Sequence, residues 1–305
     1  MGRTAYAARP ARSRNARPLR GGVVIQVLRP GLLSTIQDLG RTGLASLAVP
    51  RSGAADRTAL RLANRLVGNP EGLAGIETTL LGVDLRFTEA RWVAVTGALC
   101  PVRVDGRPST MDRPVHIPAG GVLSLGAAAE GVRSYLAVAG GIAVEPVLGS
   151  RSTDTMSGLG PPRLAAGDLL PLGTPLGVPA EVDWAPRSPA PATALVRLLP
   201  GPRDDWFELT ALVEYAVDPA SDRVGVRLRG PALARVRDGE LPSEGMLPGA
   251  VQVPPDGQPV IMLADHPTTG GYPVVGVVHP DDLSLVAQAR PGTAIRFAVS
   301  PRSRP

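Results

Sequence analysis

The stretch SDRVGVRL, residues 221–228, repeats the pattern of ADRTALRL, residues 55–62, and matches Asp222 to Asp56, Arg223 to Arg57 and Arg227 to Arg61. Three further pairs keep the same chain order. VLRPG (27–31) parallels LLPG (198–201), and ETTLLG (77–82) parallels EGMLPG (244–249) with Glu77 matched to Glu244. The end of EGVRSYLAV (130–138) parallels the end of RPGTAIRFAV (290–299), and all offsets fall between 161 and 170. Four ordered matches imply a duplicated unit. Two similar units create a cleft between them, a favoured place for a ligand. The local pattern disagrees at one point: ADRTALRL reads as helix and SDRVGVRL as strand.

With 305 residues the chain has room for two ordinary domains. Its 36 glycines and 33 prolines suit many short strands joined by turns. Runs such as RWVAVTGALCPVRV, GVLSLG, RSYLAVAGG and TAIRFAVS are β-rich and bounded by Gly or Pro. Three helices are expected. DRTALRLANRLVGNP sets Leu60, Ala63, Leu66 and Val67 on one face and stops at Asn69-Pro70. GPRDDWFELTALVEYAV opens with Pro202 and two acids, which suits the positive end of a helix. HPDDLSLVAQ opens the same way. The expected organisation is an Arg-rich disordered tail at 1–22, a first β unit at 23–172, a Pro/Ala-rich linker at 173–194, a second β unit at 195–300 and a short tail at 301–305.

Charge is unevenly placed. Residues 1–20 carry six arginines and no acid, so removing them from the formal net charge of +5 leaves −1 for the rest. That tail reads as a disordered extension or a start placed too far upstream; nucleic-acid binding and a transit peptide are the other readings. No run of 18 apolar residues and no apolar signal core occurs, so neither a membrane span nor secretion is expected. The single cysteine, Cys100, has no partner for an internal disulfide, which is compatible with the cytoplasm, and reads as a small buried thiol. All 32 basic residues are arginine. The chain therefore forms no lysine Schiff base, carries no lysine-linked biotin and has no P-loop.

Polar clusters interrupt the apolar runs. ADHPTTGGYP (264–273) lies between PVIML and VVGVV. Pro267 and the adjacent Gly270 and Gly271 impose a turn, and glycine N–H groups at positive φ converge on an anion. Thr268 and Thr269 add hydroxyl donors, Asp265 or His266 is the proton acceptor, and Tyr272 stacks on or hydrogen-bonds a ligand. A plain β-turn remains the alternative reading. In STIQDLGRTG (34–43), Gln37, Asp38 and Arg41 surround Gly40, and Arg41 suits a carboxylate or phosphate. A solvated loop with a local Asp–Arg pair is the other reading. Ser52 of VPRSGAAD suits an anion or an N-cap, as Asp56 suits an N-cap. GSRSTD (149–154), with Arg151, suits an oxyanion. The three histidines lack metal-ligand spacing, so no protein-built metal site is expected. No G-x-S-x-G elbow and no dinucleotide G-x-G-x-x-G motif occurs in context.

As an ordered set, RPGLLSTIQDLGRTG, VPRSGAAD…ALRLANRLVGNP, GIETTLLG, VLGSRST, GPRDDWF, SDRVGVRLRG, SEGMLPGAVQVPPDGQP and TTGGYP resemble the biotin-dependent carboxyltransferase family. That family takes in the C subunit of 5-oxoprolinase, KipA-like proteins and the so-called allophanate hydrolase subunit 2. The resemblance covers about residues 23–300. It implies a mainly β fold with a few short helices, made of two cyclophilin-like β-barrel halves related by internal duplication. It implies work in a complex with two partners, a KipI-like B subunit plus the A subunit of 5-oxoprolinase. Such a complex hydrolyses 5-oxo-L-proline to L-glutamate, with ATP and Mg supplied through the complex. Carboxyl transfer from carboxybiotin to urea or a similar amide is the alternative, with biotin on a partner. A non-enzymatic KipA-like partner of a KipI-like kinase inhibitor is the third. All three imply a small-molecule amide or a protein partner, without nucleic acid or membrane.

Overall fold

The computed structural model describes residues 24–187, 189–237 and 239–300; the Arg-rich stretch of the first 22 residues and the last five residues lie outside them. Strands dominate. In the first half, Leu169–Pro171, Val24–Arg29, Asp84–Phe87, Val122–Leu125, Val102–Val104 and Arg107–Ser109 lie side by side in a six-stranded sheet. Leu33–Gln37, Gly75–Thr79, Glu130–Val138, Arg91–Leu99 and Val115–Ile117 form a five-stranded sheet. Alternating side chains of both sheets meet in one core: Ile25, Val27, Leu85 and Leu123 from the first, Ile36, Ile76, Val95 and Leu136 from the second.

The second half is a closed barrel. Its seven strands run in the order Thr193–Pro200, Val274–Val278, Ala250–Gln252, Val260–Met262, Gly225–Arg229, Glu214–Val217 and Ala294–Val299. Closure comes from parallel pairing of the first and last, with Thr193 opposite Ala294 and Leu198 opposite Val299. Val196, Leu198, Tyr215, Val226, Ile261, Val275 and Ile295 fill the interior. Period-two burial is plain in Thr193–Pro200, where Ala194, Val196 and Leu198 point in and their neighbours point out.

The segment pair that suggested duplication folds differently at its two sites. Residues 57–66 form helix α1 (Arg57–Leu66), capped by the Asp56 side chain, which accepts from Ala59 N at 3.0 Å. Its matched segment supplies the barrel strand Gly225–Arg229. The β-branched Val224 and Val226 favour a pleated, half-buried surface, and the barrel requires a strand there. The expected helix at 202–217 is corrected to two short 3-10 turns, Asp204–Trp206 and Leu209–Ala211, followed by Glu214–Val217. The third expected helix is present as helix α2 (Leu283–Gln288), after the turn Pro280–Asp282. Cys100 is buried, and burial pushes its thiol above the ordinary value.

Helix α1 is fastened to the five-stranded sheet by Tyr135. Its hydroxyl donates to Glu77 Oε2 at 2.8 Å and accepts from Asp56 N at 2.7 Å. Burial, then Glu77 and Asp56, raise the phenol well above its ordinary value, so it stays a donor. Tyr135→Phe strands Asp56 N and removes one of the donors to Glu77. It is expected to lower stability by about 1–3 kcal/mol, read as a shift in the urea midpoint.

Candidate active site between the halves

A buried ion network joins the two halves. Arg223, on the approach to the strand Gly225–Arg229, donates from Nε and Nη2 to the two oxygens of Asp265, both at 2.9 Å. Its Nη1 binds Glu77 Oε1 of the first half, and its Nη2 also donates to Gly53 O at 2.7 Å. The side chains of Arg223, Glu77 and Asp265 are 1%, 1% and 0% exposed. Burial opposes the guanidinium charge, but Glu77 and Asp265 outweigh it and raise Arg223 above its ordinary value. For Glu77, burial pushes the carboxyl up, and Arg223 and Arg133 more than reverse it.

Asp265 reaches the first half a second way. Its Oδ2 accepts from Thr155 Oγ1 at 2.6 Å and Thr155 N at 2.9 Å. The residue before, Asp154, accepts from Ser52 Oγ at 2.6 Å and from the N–H groups of Met156 and Ser157. So the loop at 149–157, the loop at 51–56 and residues 265–266 meet at one place. Gly53 lets the 51–56 loop pack against Leu39 and Gly40: at φ +92, an added Cβ would lie 2.8 Å from Gly40 N.

The expected site residues divide into three groups. Asp38 clamps the 149–154 loop, taking Ser150 Oγ at 2.7 Å, Gly40 N at 2.8 Å, Arg151 N at 2.6 Å and the Ser152 hydroxyl. Gln37 donates to Thr153 O at 2.9 Å, and Arg151 Nε donates to Val144 O at 2.7 Å. Arg41 is buried and donates to the carbonyls of Val147 at 3.0 Å and Ser152 at 2.8 Å. Asp38 and Arg41 do not form the local pair of the alternative reading: Asp38 binds loop backbone and serines, and Arg41 binds two loop carbonyls with its Nη1 buried and unpartnered among the described residues. Ser52 caps no helix; it binds Asp154, at φ +54.

Asp265 and His266 form the second group, at the junction itself. Asp265 Oδ2 accepts from Arg223 Nε and from Thr155 N and Oγ1, and Oδ1 accepts from Arg223 Nη2, so the carboxylate is held as part of the ion network. His266 is 4% exposed, and its Nε2 is buried without a partner among the described residues.

The third group sits apart. Thr269–Gly270 pairs as a two-residue strand with Glu244–Gly245, and Thr268 O accepts from Met246 N at 2.9 Å. Neither Gly270 nor Gly271 has positive φ, so the expected anion nest is absent. An added Cβ at Gly270 would meet only the ends of the Gln252 and Met246 side chains, at 2.4 and 3.2 Å. Gly271 and Tyr272 line a cavity of about 550 Å³ walled entirely by second-half residues, among them Phe207 and Arg235.

Sequence reasoning passed over four residues that the fold brings here. Arg223 and Glu77 were noticed only as repeat matches, Thr155 carried no motif, and Arg57 read as part of a helix start. The charges that act on Arg57 and Arg51 are other arginines, and Arg51 Nε is buried and unpartnered among the described residues. Burial, then Arg51 and Arg61, push Arg57 down to about 10. Two unpaired, partly desolvated cations beside a buried acceptor suit a small ligand with an anionic group.

With this fold and this junction, the chain belongs to the family of the carboxyltransferase domain, subdomains A and B, whose model matches residues 47–299. Particular relatives narrow the class. The chain is 38% identical to the 5-oxoprolinase C subunit of Escherichia coli (strain K12), over 90% of each chain. It is 36% identical to the 5-oxoprolinase C subunit of Haemophilus influenzae, again over 90% of each. The crystal structure of the K. lactis urea amidolyase superposes with a TM-score of 0.86 at 31% identity, covering 92% of this chain and 19% of that one. This chain thus matches one module of a much longer enzyme. No helix among the described residues is long and apolar enough to cross a membrane.

Proposed function

We propose that this chain is the C subunit of an ATP-dependent 5-oxoprolinase complex. It acts with two partners, a KipI-like B subunit plus an A subunit, to convert 5-oxo-L-proline to L-glutamate. The observation that carries the reading is the likeness to two C subunits of 5-oxoprolinases over nine-tenths of both chains. The chemistry suits the junction. An unstrained lactam is a poor electrophile, so its opening requires a site that orients it and stabilises charge on its oxygen. A cleft between two rigid β halves, tied by a buried ion network, supplies orientation.

ATP is assigned to the partners. A triphosphate requires several converging donors, and Gly270 and Gly271 do not form a nest, while Arg41 gives Nε and Nη2 to two carbonyls and keeps only a buried Nη1. Arg51 and Arg57 remain open, which suits one small anion. Biotin has no lysine to ride on here, so the carboxyl-transfer reading, favoured by the urea amidolyase likeness, puts it on a partner.

Reconstitution of the three subunits tests the reading. Glutamate formation from 5-oxo-L-proline with ATP is expected only when all three are present. Full activity without this chain would sink it. Carboxybiotin-dependent carboxylation of urea by the chain, with no glutamate from the complex, would favour the alternative.

A further inference from the structure

His266 is placed by its neighbour. Asp265 is fixed by Arg223 and Thr155, so the backbone entering His266 is anchored from both halves. Its Nδ1 lies 2.7 Å from Pro267 O. A carbonyl oxygen only accepts, so Nδ1 carries the proton and Nε2 presents a bare lone pair. That lone pair is buried and meets no donor among the described residues. Burial pushes the imidazole below its ordinary value; Arg57 acts the same way, while the Pro267 carbonyl, Asp265 and Asp154 oppose. The ring is thus a neutral acceptor near pH 7, oriented and unused.

Arg57 is near enough to His266 for its charge to act on the ring, and Arg51 is near enough to act on Arg57. Arg223 Nη2 holds both Gly53 O and Asp265 Oδ1, so one guanidinium fixes the 51–57 loop against residues 265–266. Arg51 and Arg57 flank Gly53 in sequence, and the charges acting on them are those of other arginines, not carboxylates. Two like charges without a counterion are unfavourable, and an anion between them relieves both.

We infer that Arg51, Arg57 and His266 form one subsite for a small carboxylate bearing an amide or lactam N–H beside it, the guanidinia taking the carboxylate and His266 Nε2 accepting from the N–H. This rests on the reading of the junction as the substrate site, and it assigns which end of the substrate lies where. Asp265 then positions His266 and does not touch the ligand.

Titrations on the full chain test it with three probes: 5-oxo-L-proline, pyrrolidin-2-one (no carboxylate) and 1-methyl-5-oxo-L-proline (no N–H). The wild type is expected to bind the first about tenfold more tightly than either other, the loss of one good polar contact. Arg57→Gln should reduce the preference over pyrrolidin-2-one alone, and Arg51→Gln with Arg57→Gln should abolish it. His266→Leu should abolish the preference over the N-methyl probe alone, and His266→Gln, which keeps an acceptor, should restore part of it. A general folding defect would not separate the two preferences. In the ¹⁵N spectrum of the His266 ring, Nδ1 should be the protonated nitrogen at pH 7. Unchanged preferences in both variants, or an Nε2–H ring, would overturn the subsite. So would absence of probe binding by the chain while the complex still yields glutamate, an outcome that leaves the 5-oxoprolinase reading intact. Conversely, separable preferences in the variants with no glutamate from the complex would uphold the subsite and defeat that reading.

Discussion

Arg223→Met is expected to cost about 3–5 kcal/mol of stability, the usual consequence of stranding one side of a buried ion pair. Here two carboxylates are stranded, Glu77 and Asp265, along with Gly53 O. Thr155 still serves Asp265, and Ala55 N, Tyr135 and Arg133 still serve Glu77, so the loss stays within that range. The pH dependence follows from Glu77, whose folded value is depressed. In the wild type its contribution is present above the ordinary carboxylate value and fades as pH falls through the lower folded value. In the variant burial dominates, the folded value rises, and the sign reverses: raising the pH through the ordinary range becomes destabilising. The gap between wild type and variant should therefore be widest near neutrality and narrow in acid. Urea unfolding at several pH values measures it. The triple change Arg223→Met, Glu77→Gln, Asp265→Asn should recover part of the loss. A variant within about 1 kcal/mol of wild type at pH 7 would show that water reaches this network.

Gln288→Ala is expected to cost about 2–3 kcal/mol and to loosen the halves from each other. One side chain at the end of helix α2 makes four contacts with the first half. Its Oε1 accepts from Val132 N at 2.9 Å and Arg133 N at 3.0 Å, and its Nε2 donates to Asp56 Oδ2 and Arg133 O, both at 2.9 Å. The residue borders a cleft of about 490 Å³ that also touches Asp56, Ser284 and Arg290, so water partly replaces it and the cost stays below the sum of four lost bonds. Gln288→Glu is the sharper variant. It removes the donor to Asp56 and sets a carboxylate against one that burial already pushes up. Near neutrality it should be less stable than Gln288→Ala and should regain stability as pH falls. Thermal unfolding at pH 5 and pH 8 distinguishes the two substitutions.

Much of the architecture was legible in local pattern. Helix α1 was readable because Leu60, Ala63, Leu66 and Val67 share a face and Asp56 caps the start. The strands of the ADHPTTGGYP region were readable from apolar runs on either side, and the structure places Val260–Met262 and Val274–Val278 there. Residues 202–217 were misread because Pro202 and the two acids resemble a helix start. Barrel closure won: Tyr215 and Val217 point inward with alternating burial, paired between Gly225–Arg229 and Ala294–Val299. At the junction, polar residues stood out by composition, but composition does not say whether they bind a ligand or a loop. Asp38 and Arg41 looked like ligand groups and hold backbone instead. Arg223 was unreadable for a physical reason: its partner Glu77 lies 146 residues away, and only the packed halves bring them together.

The parallel seam that closes the barrel has a consequence for synthesis. Thr193 finds its neighbour only when Ala294 has been made, about a hundred residues later. On the ribosome, the first half gains its own core while the strand Thr193–Pro200 waits with both edges unpaired until Val274–Val278 is made, and with one until Ala294–Val299 follows. Until the last strand emerges, that edge and the edge of Glu214–Val217 are open to other chains. A stalled or clipped chain ending before Ala294 would therefore carry two sticky margins in place of a barrel.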